Sequence, residues 1–128
     1  YNDSIATAPE RTAAALRSFG EPIVLLLGGR DKGLPWDELI RLIQGRVDHL
    51  VLFGELGPMV ERALRATGVS ERPPSTVVVA GLDEAVAAAA QVASAGDVVL
   101  LAPGGTSYDQ FVDFAARGER FKQLVEAL

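Results

Sequence analysis

The sequence predicts an α/β domain in which a doubly wound, mostly parallel sheet carries helices on both faces. Short apolar runs rich in β-branched residues alternate with longer segments of helical periodicity, the order expected of parallel strands and crossover helices. The runs are continuously apolar rather than alternating, which indicates strands that are buried on both faces. The four predicted strands cover residues 23–27, 49–53, 76–79 and 98–101.

Five predicted helices separate and flank these strands. The first begins at Pro9, because proline at the first helical position lacks an N–H that would have no helical partner there. The second begins near Pro35 and carries two acidic residues in its first turn, where negative charge suits the helix dipole. The helices are expected at about 9–20, from about 35 onward, at 58–67, at 82–95 and at about 119–128. These elements predict one Rossmann-like domain over residues 1–128.

The composition limits the classes of partner. With 12 Lys and Arg against 17 Asp and Glu, the net charge is −5, so we expect no nucleic acid held through its phosphates. No apolar run approaches the ~20 residues of a membrane span, so we expect no membrane partner. The chain has no cysteine, which excludes disulfides and thiolate metal sites. Because it begins at Tyr1 with neither an initiator methionine nor a signal peptide, we expect a domain excised from a longer protein.

Two glycine-rich segments follow directly after predicted strands. Residues 28–33 follow the first strand and residues 102–111 follow the last, and both combine glycines with polar side chains. Open α/β sheets bind ligands at the carboxyl ends of their strands, where glycine lets the backbone approach the ligand closely. Ordinary turn chemistry explains such a strand-to-helix loop equally well. The position of Lys32 near two glycines at a ligand-facing end favours a binding loop.

Residues 28–33 have the glycine spacing of a phosphate-binding P-loop but lack its other residues. Leu34 and Pro35 stand where that loop places its lysine and hydroxyl, and Lys32 falls inside the loop, so we reject a P-loop. No G-x-G-x-x-G motif follows a strand, which leaves dinucleotide binding without support. One histidine and no cysteine cannot assemble a nucleophilic triad around the serines. We therefore assign no catalytic residue within this domain.

The remaining conspicuous side chains have ordinary structural interpretations. His49 opens an apolar strand and is interpreted as a satisfied structural histidine, because no second ligand accompanies it for a metal. Trp36 at a helix start is expected to pack or to form a partly exposed anchor. Arg117 and Arg120 are expected on a solvated face or as partners of Asp113.

Three ordered motifs resemble the C-terminal domain of the Mur ligases, the ATP-dependent amide-forming enzymes of peptidoglycan precursor synthesis. They span essentially the whole chain and look like those of the D-glutamate-adding members. The motifs are Asn2-Asp3-Ser4-x-Ala6-Thr7, Gly28-Gly29-Arg30-Asp31-Lys32-Gly33 and Ser107-x-Asp109-Gln110-Phe111-x-x-Phe114-x-x-Arg117-Gly118-x-x-Phe121. The Asp-Asn-Pro-Arg segment of the members that add a diamino acid is missing.

The resemblance implies roles for five residues. In the family, the positions matching Thr7, Lys32 and Ser107 hold the side-chain carboxylate of D-glutamate, and the position matching Phe114 lines the same pocket. The position matching Asp3 contacts the ATP ribose. Lysine supplies a charge-assisted hydrogen bond and the hydroxyls supply donors, which suits a dicarboxylate.

The resemblance also implies the reaction of a longer, three-domain enzyme of the cytoplasm. ATP would phosphorylate the L-alanyl carboxylate of UDP-N-acetylmuramoyl-L-alanine, and the D-glutamate amine would then attack the acyl phosphate. The nucleotide loop, the Mg²⁺ ligands and the UDP site would belong to upstream domains, so the fragment alone is expected to be inactive and to hold no metal. Two alternatives stay open: a related Mur-type ligase of other amino-acid specificity, and a non-catalytic α/β module that binds a small molecule.

The chain departs from the family pattern at three places. Ile5 stands where the family usually has a lysine near the reacting groups, which removes one electrostatic contribution from the expected site. Residues 102–106 read Ala-Pro-Gly-Gly-Thr instead of Ser-Pro-Ala-Cys-Ala, and Ala115 stands where glutamate is common. The last two changes are expected to alter packing only, whereas the change at Ile5 leaves the amino-acid specificity open.

Overall fold

The computed structural model describes residues 1–2, 4, 6–31, 33, 35–67, 74–106 and 113–128. Strands and helices alternate along this part of the chain, which confirms the predicted α/β class. In chain order the elements are α1 (Pro9–Arg17), β1 (Ile23–Gly28), α2 (Asp37–Arg46), β2 (Val47–Phe53), α3 (Gly57–Ala66), β3 (Ser75–Val78), α4 (Leu82–Val92), β4 (Val98–Gly104) and α5 (Phe114–Glu126).

The described strands form one parallel sheet in the order β3-β2-β1-β4. The chain moves outward from β1 through β2 to β3 and then returns to place β4 on the other side of β1. Open α/β sheets bind ligands where the strand order reverses in this way, outside the carboxyl ends of the two strands. The topology therefore directs attention to the loops that follow β1 and β4.

Helices cover both faces of the sheet and divide the core into two apolar clusters. Leu25 and Leu27 of β1 belong to the cluster formed with α1 and α2, whereas Val24 and Leu26 belong to the cluster formed with α4 and α5. Successive strand residues point to opposite faces, so the continuously apolar β1 supplies both clusters. None of the helices that the structure describes is long and apolar enough to cross a membrane.

The third predicted strand is present but not buried. All four residues of β3 are exposed, including Val77 and Val78 at 42% and 36%. The expected burial on both faces is therefore wrong for this strand, which pairs with β2 at one border of the described sheet. Its β-branched residues satisfy strand propensity without revealing the strand's place in the sheet.

The last strand and the last helix both extend further toward each other along the chain than predicted. β4 continues to Gly104 instead of ending at residue 101, and α5 begins at Phe114 instead of about 119. The helix begins earlier because the Asp113 side chain accepts the Ala116 N–H at 2.8 Å and so caps the first turn. The capped first turn brings Arg117 into the helix.

Candidate functional site

The loops that follow β1 and β4 are joined directly to each other. The Arg30 N–H donates to the Thr106 carbonyl at 2.9 Å, and the Thr106 N–H donates to the Arg30 carbonyl at 2.8 Å. These reciprocal bonds form an antiparallel bridge just beyond the carboxyl ends of the two parallel strands. The described parts of the two glycine-rich segments therefore meet at one edge of the sheet, as their positions after neighbouring strands imply. We call the bridge between Arg30 and Thr106, with the adjoining Gly29 and Gly105, the joined edge.

Two glycines make this junction possible. Gly29 has a φ of +112°, and a Cβ at this position would lie 2.1 Å from the Thr106 carbonyl oxygen. A Cβ at Gly105 would lie 2.4 Å from the Leu56 side chain and 2.8 Å from the Arg30 carbonyl oxygen. At Gly29, glycine alone combines a left-handed backbone with so close an approach at little steric cost, and at Gly105 the close approach alone requires glycine. Both glycines therefore serve the contact between the loops.

The first residues of the chain reach the same edge by running along β4. The Leu101 N–H donates to the Tyr1 carbonyl at 2.9 Å, and the Gly104 N–H donates to the Ala6 carbonyl at 2.8 Å. The N-terminal segment (the described residues among 1–7) is thereby attached to β4 at Leu101 and Gly104. Thr7 follows Ala6, the acceptor of the second bond, directly in the sequence.

A buried guanidinium connects the N-terminal segment to the loops. The Arg117 side chain is 0% exposed, and its Nε and Nη2 donate to the Ser4 hydroxyl at 3.0 Å and the Ser4 carbonyl at 2.9 Å. Its Nη1 donates to the Gly105 carbonyl at 3.0 Å. The Ser4 hydroxyl donates in turn to the Phe114 carbonyl at 2.7 Å. One planar side chain with five N–H donors thus holds the N-terminal segment, the end of β4 and the start of α5 together.

The expectation of a solvated face is wrong for Arg117. The residue lies four positions before the buried Phe121 and so shares its helix face, a signal that was missed because the helix was expected to begin only at about 119. Arg120 lies near the surface but contacts Asp83 of α4 through its Nη2 at 2.6 Å, while Asp113 caps α5. The hydrogen bond from Arg120 holds the pKa of the Asp83 carboxyl below its usual value.

Two of the residues predicted from the resemblance are described, and both lie beside the joined edge. Thr7 is half-buried and follows Ala6, whose carbonyl binds β4. Phe114 is the first residue of α5, its carbonyl accepts the Ser4 hydroxyl, and its side chain is 41% exposed. Their roles toward a ligand stay predictions, but the fold brings them to the edge that those roles require.

The other three predicted ligand residues, Asp3, Lys32 and Ser107, lie outside the described residues. Asp3 precedes Ser4 in the sequence and Ser107 follows Thr106, so both are sequence neighbours of residues on the joined edge. Their predicted contacts with D-glutamate and with the ATP ribose stay predictions.

Side-chain contacts anchor the loop that follows β1. The Asp31 carboxylate accepts the Gly33 N–H at 3.1 Å and the Trp36 indole N–H at 3.0 Å. Trp36 is 9% exposed, which confirms its expected packing role. The Arg30 guanidinium donates to both oxygens of Glu55, at 3.0 and 3.2 Å, and these bonds lower the pKa of the Glu55 carboxyl. These contacts hold the described residues of the loop at the carboxyl edge of the sheet.

Two cavities outside the joined edge are poorly suited to a polar anion. A cavity of about 250 Å³ lies between α1 and α2, but Glu10 and Glu38 line it and would repel a carboxylate. A second cavity of about 320 Å³ beside α4 and α5 has no charged side chain among the described residues that line it. Within the part of the chain that the structure describes, neither of these two cavities therefore offers a cationic side chain to an anionic ligand.

The His49 side chain is not fully hydrogen-bonded among the described residues. It lies half-buried in β2, and its Nδ1 is buried without a hydrogen-bond partner in the part of the chain that the structure describes. The expectation of a satisfied histidine is therefore wrong for this nitrogen. Among the described residues, no group of three or more His, Cys, Asp or Glu side chains could hold a metal ion.

Comparison with known proteins decides the family. The model of the family described as "Mur ligase, glutamate ligase domain" matches residues 1–105, which include the N-terminal segment, β1 and all of β4. The chain belongs to this family. The resemblance inferred from the three motifs is thereby confirmed.

Several relatives of this Mur ligase domain carry the name UDP-N-acetylmuramoylalanine--D-glutamate ligase. One from Acetivibrio thermocellus is 42% identical over 131 residues, which cover 100% of this chain and 28% of the relative. One from Symbiobacterium thermophilum is 44% identical over 100% of this chain and 28% of the relative. A third, from Roseiflexus sp., is 47% identical over 98% of this chain and 27% of the relative. The Mur ligase domain thus spans little more than a quarter of the length of these relatives.

The fold brings together the described parts of all three Mur ligase motifs. Ser4 represents the first motif, Gly29 and Arg30 the second, and Phe114 and Arg117 the third. A Cβ on Gly29 would lie 2.9 Å from the Arg117 guanidinium, which in turn donates to Ser4. Residues more than a hundred positions apart in the sequence therefore meet at the topological switch point of the sheet.

Proposed function

We propose that this chain is the amino-acid-binding domain of a cytoplasmic ligase that adds D-glutamate to UDP-N-acetylmuramoyl-L-alanine. The observation that carries the proposal is the meeting of the three Mur ligase motifs at the joined edge, around the buried Arg117. Its relatives at 42–47% identity are named for D-glutamate ligation, which supports the same amino acid here.

In this proposal the joined edge binds D-glutamate through its side-chain carboxylate. Lys32 supplies a charge-assisted hydrogen bond, the hydroxyls of Thr7 and Ser107 supply further donors, and Phe114 covers the aliphatic part of the ligand. Each charged hydrogen bond contributes about 1.5–3 kcal/mol when it is desolvated. The half-exposed Phe114 side chain at the start of α5 is accessible for such a contact.

The proposed reaction joins a carboxylate and an amine through an activated acyl group. ATP is a substrate: its terminal phosphoryl group passes to the L-alanyl carboxylate, and ADP leaves. The D-glutamate amine then attacks the acyl carbon, and the tetrahedral intermediate expels phosphate to leave the amide. This domain supplies amino-acid binding and, through Asp3, a contact to the ATP ribose. The Mg²⁺ and UDP sites belong to the remainder of the ligase, and the isolated domain has no ligase activity.

A phosphate-release assay on the complete ligase that contains this domain tests the proposal. The enzyme is given ATP, Mg²⁺ and UDP-N-acetylmuramoyl-L-alanine, and D-glutamate is compared with L-glutamate and with other amino acids. Release that depends on D-glutamate is the expected result. Release with another amino acid would replace the substrate while keeping the ligase, and no release with any of them would favour a non-catalytic binding module.

The alternative function, a Mur-type ligase that adds another amino acid, rests on one residue. Ile5, which lies outside the described residues, replaces a lysine that the family usually has near the reacting groups. Restoring it with Ile5→Lys tests its effect in the same assay. An increase in phosphate release with D-glutamate would support D-glutamate as the substrate, and a preference for D-glutamate that appears only in the variant would favour the alternative function.

A further inference from the structure

The role of Arg117 extends the proposed function. Its guanidinium is fully buried and donates to two atoms of Ser4 and to the Gly105 carbonyl. We propose that Arg117 is a positioning residue that couples the amino-acid half of the proposed site to its nucleotide half. The inference rests on the proposed function, because the two halves are defined by the two substrates.

The geometry of Arg117 requires a guanidinium. Burying a cation is unfavourable unless its donors find acceptors, and here Nε, Nη1 and Nη2 each have one at 2.9–3.0 Å. Arginine holds acceptors in fixed planar directions, whereas lysine presents one compact charge and cannot reach both Ser4 and Gly105 in the same arrangement. Arg117→Lys therefore keeps the charge and removes the connection.

The N-terminal segment carries residues for both substrates. Thr7 is proposed to bind D-glutamate, and Asp3 is proposed to bind the ATP ribose. The bonds from Arg117 to Ser4 fasten this segment between those two residues of the sequence. Loosening this segment is therefore expected to weaken the binding of both substrates. Replacing a residue that touches only one substrate would weaken the binding of that substrate alone.

The Ser4 hydroxyl extends the connection to the start of α5. It accepts from Arg117 at 3.0 Å and donates to the Phe114 carbonyl at 2.7 Å. Ser4→Ala removes both of these bonds but leaves the bond from Arg117 to the Ser4 carbonyl in place. It is the milder variant and keeps the inference testable if Arg117→Lys does not fold.

Steady-state kinetics of the complete ligase test the coupling, with Arg120→Lys as the matched control. Arg120 lies on the same helix but is partly exposed and contacts Asp83 instead of the joined edge. In Arg117→Lys we expect the KM values for D-glutamate and ATP to rise together by about fivefold or more, the ratio that corresponds to one lost hydrogen bond. Ser4→Ala is expected to raise both by a smaller factor, and Arg120→Lys to change neither.

The split between KM and kcat separates positioning from a purely structural role. A structural defect lowers the amount of active enzyme, so apparent kcat falls while both KM values stay unchanged, and this result would overturn the inference. A rise in only one KM would overturn it as well.

Amide hydrogen exchange on the 128-residue chain gives an independent readout. Arg117→Lys is expected to speed exchange at the Gly104 N–H, which binds Ala6, but not in the middle of β1. Unchanged exchange at Gly104 would overturn the positioning role. Absence of D-glutamate-dependent phosphate release by the unaltered ligase would instead overturn the proposed function.

Discussion

Replacing Gly29 by alanine tests whether the loops after β1 and β4 form one edge. Gly29 has a φ of +112°, and its Cβ would lie 2.1 Å from the Thr106 carbonyl oxygen and 2.9 Å from the Arg117 guanidinium. No rotation of a side chain relieves the first contact, because the backbone fixes the position of the Cβ and the oxygen is itself a backbone atom. The alanine is therefore expected to push the two loops apart and to break the bridge between Arg30 and Thr106.

The magnitude follows from two contributions. The left-handed backbone at Gly29 costs an alanine about 1–2 kcal/mol. Loss of the two bridge hydrogen bonds, at 2.9 and 2.8 Å, removes about 1 kcal/mol each. We therefore expect Gly29→Ala to lower the free energy of unfolding by about 3–4 kcal/mol, a large part of the 5–15 kcal/mol typical of a domain.

Urea unfolding of the 128-residue chain, followed by circular dichroism, measures this effect against two matched glycines. Gly33 has a φ of +78° but open space around its Cβ, so Gly33→Ala isolates the backbone cost of about 1–2 kcal/mol. Gly45 has open space and lies in α2, so Gly45→Ala is expected to stabilise the chain by up to about 0.5 kcal/mol. If Gly29→Ala destabilised the chain no more than Gly33→Ala, the proposed contact between the loops would be wrong.

Three further variants test the core, the surface electrostatics and the site. Thr12→Val removes a buried hydroxyl that donates to a β4 carbonyl at 2.9 Å, and should lower the free energy of unfolding by about 1 kcal/mol in the same urea experiment. Asp83→Asn removes the carboxylate whose pKa Arg120 lowers. The interaction of this carboxylate with Arg120 stabilises the folded chain above the ordinary carboxyl pKa, and the stabilisation is lost as the pH falls through the lowered pKa. The urea midpoints of this variant and the unaltered chain should therefore differ at about pH 7 and converge at about pH 2. Lys32→Ala should raise the KM of the ligase for D-glutamate strongly with little change in the KM for ATP, whereas Lys122→Ala, at an exposed position of α5, should change neither. An unchanged KM for D-glutamate would remove Lys32 from the site.

The central part of the fold was predictable because its residues carry one dominant signal. β1 is continuously apolar, and such a run is stable only where both faces of the strand are covered. The exposure of β3 was not predictable, because Val77 and Val78 favour a strand in any position and the order of strands in the sheet depends on contacts distant in sequence.

The contact between the loops after β1 and β4 was predictable in its location but not in its construction. Glycines after two strands indicated the ligand-facing edge, and the topology joins those loops. The burial of Arg117 was not predictable from its charge, since arginine is mostly exposed in proteins. Its burial is stabilised by acceptors on Ser4 and Gly105, which are far from each other in the sequence.

The most direct test of the account is a titration of the 128-residue chain with D-glutamate, followed by amide chemical shifts. The account predicts saturable shifts at the joined edge, at Thr7, Gly29, Thr106 and Phe114. The affinity should be about millimolar or weaker, because a single domain offers few contacts to offset the cost of association. Lys32→Ala should reduce these shifts, and L-glutamate should produce smaller ones. Shifts confined to other parts of the molecule, or none at saturating ligand, would contradict the assignment of D-glutamate binding to this edge.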